Sequence, residues 1–194
     1  KILGVEESLF VSIILHVATL FSILVVLRKE VWQIVRHPFS KQSLQIVWAT
    51  IPTCLIVLIL MPIVKKSFSG VGLPICFFVS AIILYVAEVL SKKHQSKPFD
   101  TKCAIVMGIA QGLATFPGVS RSGTTISAGL MHGRDKKDVA KFSFLMSIPI
   151  IILSLFMEIF EISQGTEKIS VKAFPMVVAF LTAFLSGVFA LKFM

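Results

Sequence analysis

The charges of this chain fall in short clusters, and long stretches between them carry none. Residues 8–27, 43–64, 67–87 and 173–191 contain no Asp, Glu, Lys or Arg. The hydrocarbon core of a bilayer, roughly 30 Å thick, takes about 20 apolar residues in helical form. Each stretch is therefore predicted to cross a membrane as a helix. Residues 142–157 form a fifth, shorter run, which spans if Lys141 and Glu158 direct their charged ends toward the interfaces. The pattern predicts an all-α fold, a polytopic membrane helical bundle forming a single integral membrane domain over residues 1–194, and excludes a soluble globular one.

Between the third and fifth runs the pattern changes. Residues 103–133 are uncharged except for Arg121, but their centre is Phe116-Pro117-Gly118-Val119-Ser120-Arg121-Ser122-Gly123-Thr124-Thr125. Pro and Gly break a helix there, leaving two arms too short to cross a bilayer singly. The segment is predicted to be a re-entrant helix-loop-helix over about 103–133. Non-helical backbone at membrane depth is tolerated only where protein buries it or where it lines a watered cavity, so this loop marks a site.

Composition agrees, with 56% hydrophobic and 15% charged residues. The formal net charge of +9 would suggest nucleic acid in a soluble protein, but position removes that reading. If Arg28, Lys29, Arg36 and Lys41 lie on one side, alternation of the spans puts Lys92, Lys93, Lys97, Lys102, Arg134, Lys136, Lys137, Lys141 and Lys192 there too. The other side receives Lys1, Lys65, Lys66, Lys168 and Lys172. This asymmetry follows the positive-inside rule and places the residue-1 end outside the cytoplasm. The parity holds only if the 103–133 segment returns to the side it entered. Cys54, Cys76 and Cys103 show no CxxC spacing and read as packing residues. The chain starts with Lys and ends inside an apolar run, so it is expected to be a piece of a longer protein.

An arginine within the apolar part of a membrane protein costs several kcal/mol unless it is paired or solvated, which makes Arg121 a site candidate. Gly118 and Gly123 allow the backbone to turn N–H groups inward, while Ser120, Ser122, Thr124 and Thr125 supply hydroxyls. Backbone nests and helix N-termini bind phosphate, and a guanidinium grips it with a planar fork. The competing reading is a Gly/Ser helix break whose arginine reaches for carbonyls or the interface. Gln111, one helical stretch earlier, is a candidate to turn its amide into the same cavity. His16 reads as a helix–helix hydrogen bonder and His132 as an exposed residue. Glu88, Glu158 and Glu161 read as interfacial salt-bridge residues, and His37 and His94 as loop residues.

The stretch PGVSRSGTT, preceded by Gln111-Gly112-Leu113-Ala114 and followed by Phe142-Ser143-Phe144-Leu145-Met146-Ser147-Ile148-Pro149, resembles the bacitracin-resistance family of undecaprenyl-diphosphate phosphatases. The helix containing Leu15-His16-Val17-Ala18-Thr19-Leu20 is similar to an early helix of that family. The resemblance implies hydrolysis of undecaprenyl diphosphate to undecaprenyl phosphate in the bacterial cell (inner) membrane, renewing the carrier for peptidoglycan synthesis. It implies Ser120, Arg121 and Thr125 as active-site residues, with Gly118, Ser122, Gly123, Thr124 and Gln111 around the substrate. It also implies a divalent metal, Mg or Ca, held by a glutamate-rich N-terminal motif ending in Ser-Thr-Gly-His. This sequence lacks that motif, and Glu6 and Glu7 do not replace it. The family's architecture is an inverted repeat with one such hairpin in each half, of which this chain holds one. The expected partners are the polyprenyl diphosphate and membrane lipids, with room for a homodimer and none for nucleic acid. Whether Ser120 attacks phosphorus stays open, because no adjacent base is identifiable. A transporter of a phosphate-bearing anion or lipid phosphate is the alternative, since broken helices at the midplane also serve carriers.

Overall fold

A computed structural model describes residues 9–67, 72–91, 97–163 and 173–193. Lys1, Glu6, Glu7, Lys92, Lys93, His94, Lys168 and Lys172 lie outside these residues, as do the side chains of Lys65, Lys66 and Glu161. Among the described residues every regular element is a helix: α1 (Leu9–Val26), α2 (Arg28–Arg36), α3 (Lys41–Ser67), α4 (Gly72–Ser91), α5 (Thr101–Leu113), α6 (Arg121–Met131), α7 (Lys136–Ser163) and α8 (Ala173–Lys192). Among the described residues four segments are long and apolar enough to cross a membrane: Lys41–Val64, Leu73–Ser91, Lys136–Phe160 and Phe174–Lys192. The α1–α2 pair adds a fifth if it counts as one broken span. This is a multi-pass membrane protein.

The side chains are sorted as lipid would sort them. Leu58, Ile59, Phe77, Phe78 and Tyr85 point outward, whereas Ser22, Thr53, Ser80, Thr125, Ser127 and Ser143 are buried. In a bilayer the outside is as apolar as any core, so helices associate through small residues and hydrogen bonds.

The segment after α1, read from the sequence only as a basic loop, is a helix. The chain turns by 86° at Leu27, and α2 carries Arg28, Lys29 and Arg36 together with exposed Trp32 and Val35. That mixture of basic residues and apolar side chains suits the interface plane rather than the hydrocarbon.

The chain divides into two compact units, Lys1–Trp32 with Ser147–Met194, and Gln33–Met146. In the first, α1 packs on α8, where Ser22 Oγ donates to the Phe184 carbonyl at 3.0 Å. A Cβ at Gly187 would lie 2.6 Å from that hydroxyl, so glycine allows the close approach. The second unit holds α3, α4, α5, α6 and the start of α7. Gly108 and Gly112, four apart on α5, lie against α3. A Cβ at Gly108 would run into the Ala49 carbonyl, and one at Gly112 would lie 2.8 Å from Ile56 Cβ. Thr53 Oγ1 uses the closeness to donate to the Gly108 carbonyl at 2.7 Å.

Candidate active site

Residues 101–131 fold as two short helices around a break, and their ends are tied together. The Lys97 N–H donates to the Gly133 carbonyl at 3.0 Å. Arg134 pairs with Asp100 at 2.9 Å and donates to the Pro98 carbonyl at 2.5 Å. Asp100 also caps α5 by accepting the Cys103 N–H at 3.0 Å. Partial desolvation raises the Asp100 carboxyl, but the Cys103 amide, Arg134 and His132 outweigh it and hold the group below its ordinary 3.8. With its feet joined, the hairpin ends beside the point where it starts.

At the tip, Gly118 has φ +88, a region that glycine enters without strain. A Cβ there would also lie 3.0 Å from Cys76 Cβ and 3.1 Å from the Leu73 carbonyl, so the loop rests directly on α4. Ser80 of α4 holds it in place. Its Oγ accepts the Ser120 N–H at 3.1 Å, and its hydroxyl faces the carbonyls of Cys76 at 3.0 Å and Gly118 at 3.4 Å.

Helix α6 starts from this anchored point. Ser120 Oγ accepts the Gly123 N–H at 3.1 Å, and its carbonyl accepts the Thr124 N–H at 2.8 Å. A Cβ at Gly123 would lie 2.8 Å from Ser120 Oγ, so the cap requires the glycine. The first amides of a helix have no intrahelical acceptor, and among the described residues those of Arg121 and Ser122 have none elsewhere. Arg121 is half-buried, and its guanidinium has no hydrogen-bond or ion-pair partner among the described residues. Thr124 Oγ1 is buried and also unpartnered. Arg121 and two free amides thus share the first turn of α6, at the positive end of its dipole, an arrangement suited to a tetrahedral oxyanion.

The structure gathers Gly118, Ser120, Arg121, Ser122, Gly123 and Thr124 at this tip. Thr125 is turned inward: it is 1% exposed, its Oγ1 bonds the carbonyls of Arg121 and Ser122, and it meets Ser143 Oγ of α7 at 2.6 Å. It braces the first turn of α6 against α7. Gln111 is buried with its amide nitrogen unpartnered, and no hydrogen bond joins it to the loop. Ser80 and Ser143 were not singled out from the sequence. The signal available for Ser80 was a hydroxyl in the middle of an apolar span, where a buried polar group needs a partner.

The reading of His16 as a helix–helix hydrogen bonder agrees with its place, because its Nδ1 on α1 lies 3.4 Å from Glu158 Oε1 on α7. Glu158, read as a salt-bridge residue, finds that partner in His16 and also accepts from Ser12 Oγ at 2.7 Å, while its Oε2 is buried without a partner.

The family profile described as Bacitracin resistance protein BacA matches residues 1–194. The chain belongs to the BacA family. The undecaprenyl-diphosphatase of Carboxydothermus hydrogenoformans is 37% identical over 198 residues, covering 100% of this chain and 76% of the relative. That of Parabacteroides distasonis is 35% identical over 198 residues, 97% of this chain and 74% of its own length. Undecaprenyl-diphosphatase 3 of Bacillus cereus is 33% identical over 193 residues, 97% of this chain and 73% of its own. The Pro117 to Thr125 stretch that pointed to the BacA family is the stretch the fold presents at the hairpin tip.

Among the described residues no three His, Cys, Asp or Glu side chains converge in a way that would hold a metal. The donors at the tip are hydroxyls, amides and a guanidinium, which suit an anion and not a cation. The resemblance places the divalent metal on a glutamate-rich motif that this sequence lacks, and not on these donors.

Proposed function

We propose that this protein hydrolyses undecaprenyl diphosphate to undecaprenyl phosphate and inorganic phosphate in the bacterial cell membrane, renewing the lipid carrier of peptidoglycan synthesis and so conferring bacitracin resistance. The observation that carries the reading is Arg121: a half-buried guanidinium without a counter-charge among the described residues, set beside two free helix amides. The terminal phosphoryl group sits on this cradle, where the Arg121 fork and the Arg121 and Ser122 amides meet its equatorial oxygens as charge shifts toward the leaving phosphate. Ser80 and the Ser120 cap fix the amides beforehand, so little reorganisation is needed during reaction. Ser120 Oγ is engaged as the cap of α6, and among the described residues no imidazole or carboxylate bonds it. Its role is to orient the cradle. Membership of a family whose relatives carry the name undecaprenyl-diphosphatase favours hydrolysis over transport of an intact lipid phosphate.

The test is Arg121→Lys in the full-length protein, with phosphate release as the readout. Lysine keeps the charge and loses the planar fork, so activity is expected to fall roughly 10²- to 10³-fold, the usual cost of one transition-state contact. Activity near that of the parent, at normal membrane expression, removes Arg121 from the reaction.

A further inference from the structure

Beside the cradle, α4 and the hairpin tip enclose a groove of about 450 Å³ lined by Phe77, Ser80, Ala81, Leu84, Gly118, Val119 and Ser120. Its size is that of a small-molecule site. The four α4 residues follow the i, i+3, i+4, i+7 spacing of a single helix face. They occupy the middle of the Leu73–Ser91 span, at hydrocarbon depth. No charged residue lines the groove. The one polar side chain that α4 contributes, Ser80, spends its hydroxyl on the loop backbone. What faces the groove is therefore apolar, with Phe77 63% and Leu84 45% exposed.

We infer that this groove holds the isoprenoid units next to the diphosphate of the substrate. The inference rests on the functional reading above and extends it from the head group to the lipid. Three residues carry the connection. Gly118, Val119 and Ser120 line the groove and also form the loop that leads into the cradle. Leu84 reaches the same junction, since a Cβ at Gly123 would lie 3.2 Å from its Cδ2. A phosphoryl group seated on the Arg121 and Ser122 amides leaves its prenyl chain at the edge of an apolar channel that starts at Ser120. A water-soluble phosphate ester would gain nothing from such a wall, whereas an isoprene buries apolar surface along it. The groove thereby selects prenyl diphosphates over soluble ones through KM.

Two measurements on the full-length membrane protein test this. The first uses farnesyl diphosphate carrying a photoreactive diazirine on its first isoprene, with cross-linked peptides mapped by mass spectrometry. Label on the peptide containing Phe77 to Leu84, competed away by unlabelled farnesyl diphosphate, is expected. Label that falls elsewhere while the enzyme still hydrolyses farnesyl diphosphate overturns the inference, and assigns the groove to bilayer acyl chains or to a protein segment. The second is Ala81→Trp, which fills the groove. KM for farnesyl diphosphate should rise roughly tenfold, the equivalent of about two lost buried methylenes, with a much smaller change in kcat. An unchanged KM in a variant that retains turnover also overturns it. A wild-type protein that releases no phosphate from any prenyl diphosphate overturns the functional reading itself, an outcome distinct from either failure of the groove.

Discussion

Ser80 shows how a single hydroxyl can set a site it does not enter. It bonds the Ser120 amide and faces the Gly118 carbonyl, so it fixes where α6 begins and where the free amides point. Ser80→Ala should leave KM close to that of the parent and lower kcat by roughly tenfold, because the cradle then reorganises during reaction instead of beforehand. Steady-state phosphate release separates the two parameters. Thr125 acts by a related route, through its buried bond to Ser143. Thr125→Val leaves the Ser143 hydroxyl without that partner and is expected to cost about 1–3 kcal/mol of stability, read as a lower Tm of the solubilised protein. Thr125→Ser keeps the hydroxyl and should recover most of it.

At the scale of elements, the hairpin depends on its feet and on its back. The feet are Asp100 and Arg134. A carboxyl whose folded value is lowered stabilises the fold above the unfolded value, and that contribution is lost as pH falls through the folded one. The stability gap between wild type and Asp100→Asn should therefore be full at about pH 6 and close as pH drops below the ordinary 3.8. A gap that does not change with pH would mean that Asp100 acts only as a neutral cap. In a background without native cysteines, Lys102→Cys and Lys136→Cys should label from the same membrane face, because the chain between them returns to its starting point. The back of the hairpin is the Gly108 and Gly112 contact with α3. Gly108→Ala drives a methyl group into the Ala49 carbonyl, and the overpacking is expected to cost about 1–3 kcal/mol, measured by thermal unfolding in detergent.

Across the molecule, polar contacts far apart in sequence do in lipid what apolar burial does in water. Ser12 and Glu158 are separated by 146 positions yet lie 2.7 Å apart, with His16 beside them. Glu158→Ala removes the carboxylate acceptor of Ser12 and His16, leaving them only each other at 3.4 Å, and should lower Tm clearly more than Glu158→Gln, which keeps an acceptor.

Charge-free length is enough to decide a membrane span, because a bilayer rejects charge and demands internally bonded backbone whatever the neighbours are. The amino-acid order alone therefore determined the helical class, four of the five expected spans and the break within 103–133. It also marked the Pro117 to Thr125 stretch as the candidate anion site, since that reading depends on residue types a few positions apart. Only the tertiary structure decided which hydroxyls find protein partners: Thr124 Oγ1 has none among the described residues, while Thr125 meets Ser143. It alone supplied Ser80 as the anchor, Glu158 as the partner of His16, and α2 as a helix where the charges had suggested a loop. Each of these rests on a helix packed from elsewhere in the chain or on a bend at a single residue, and neither leaves a local period in the sequence to read.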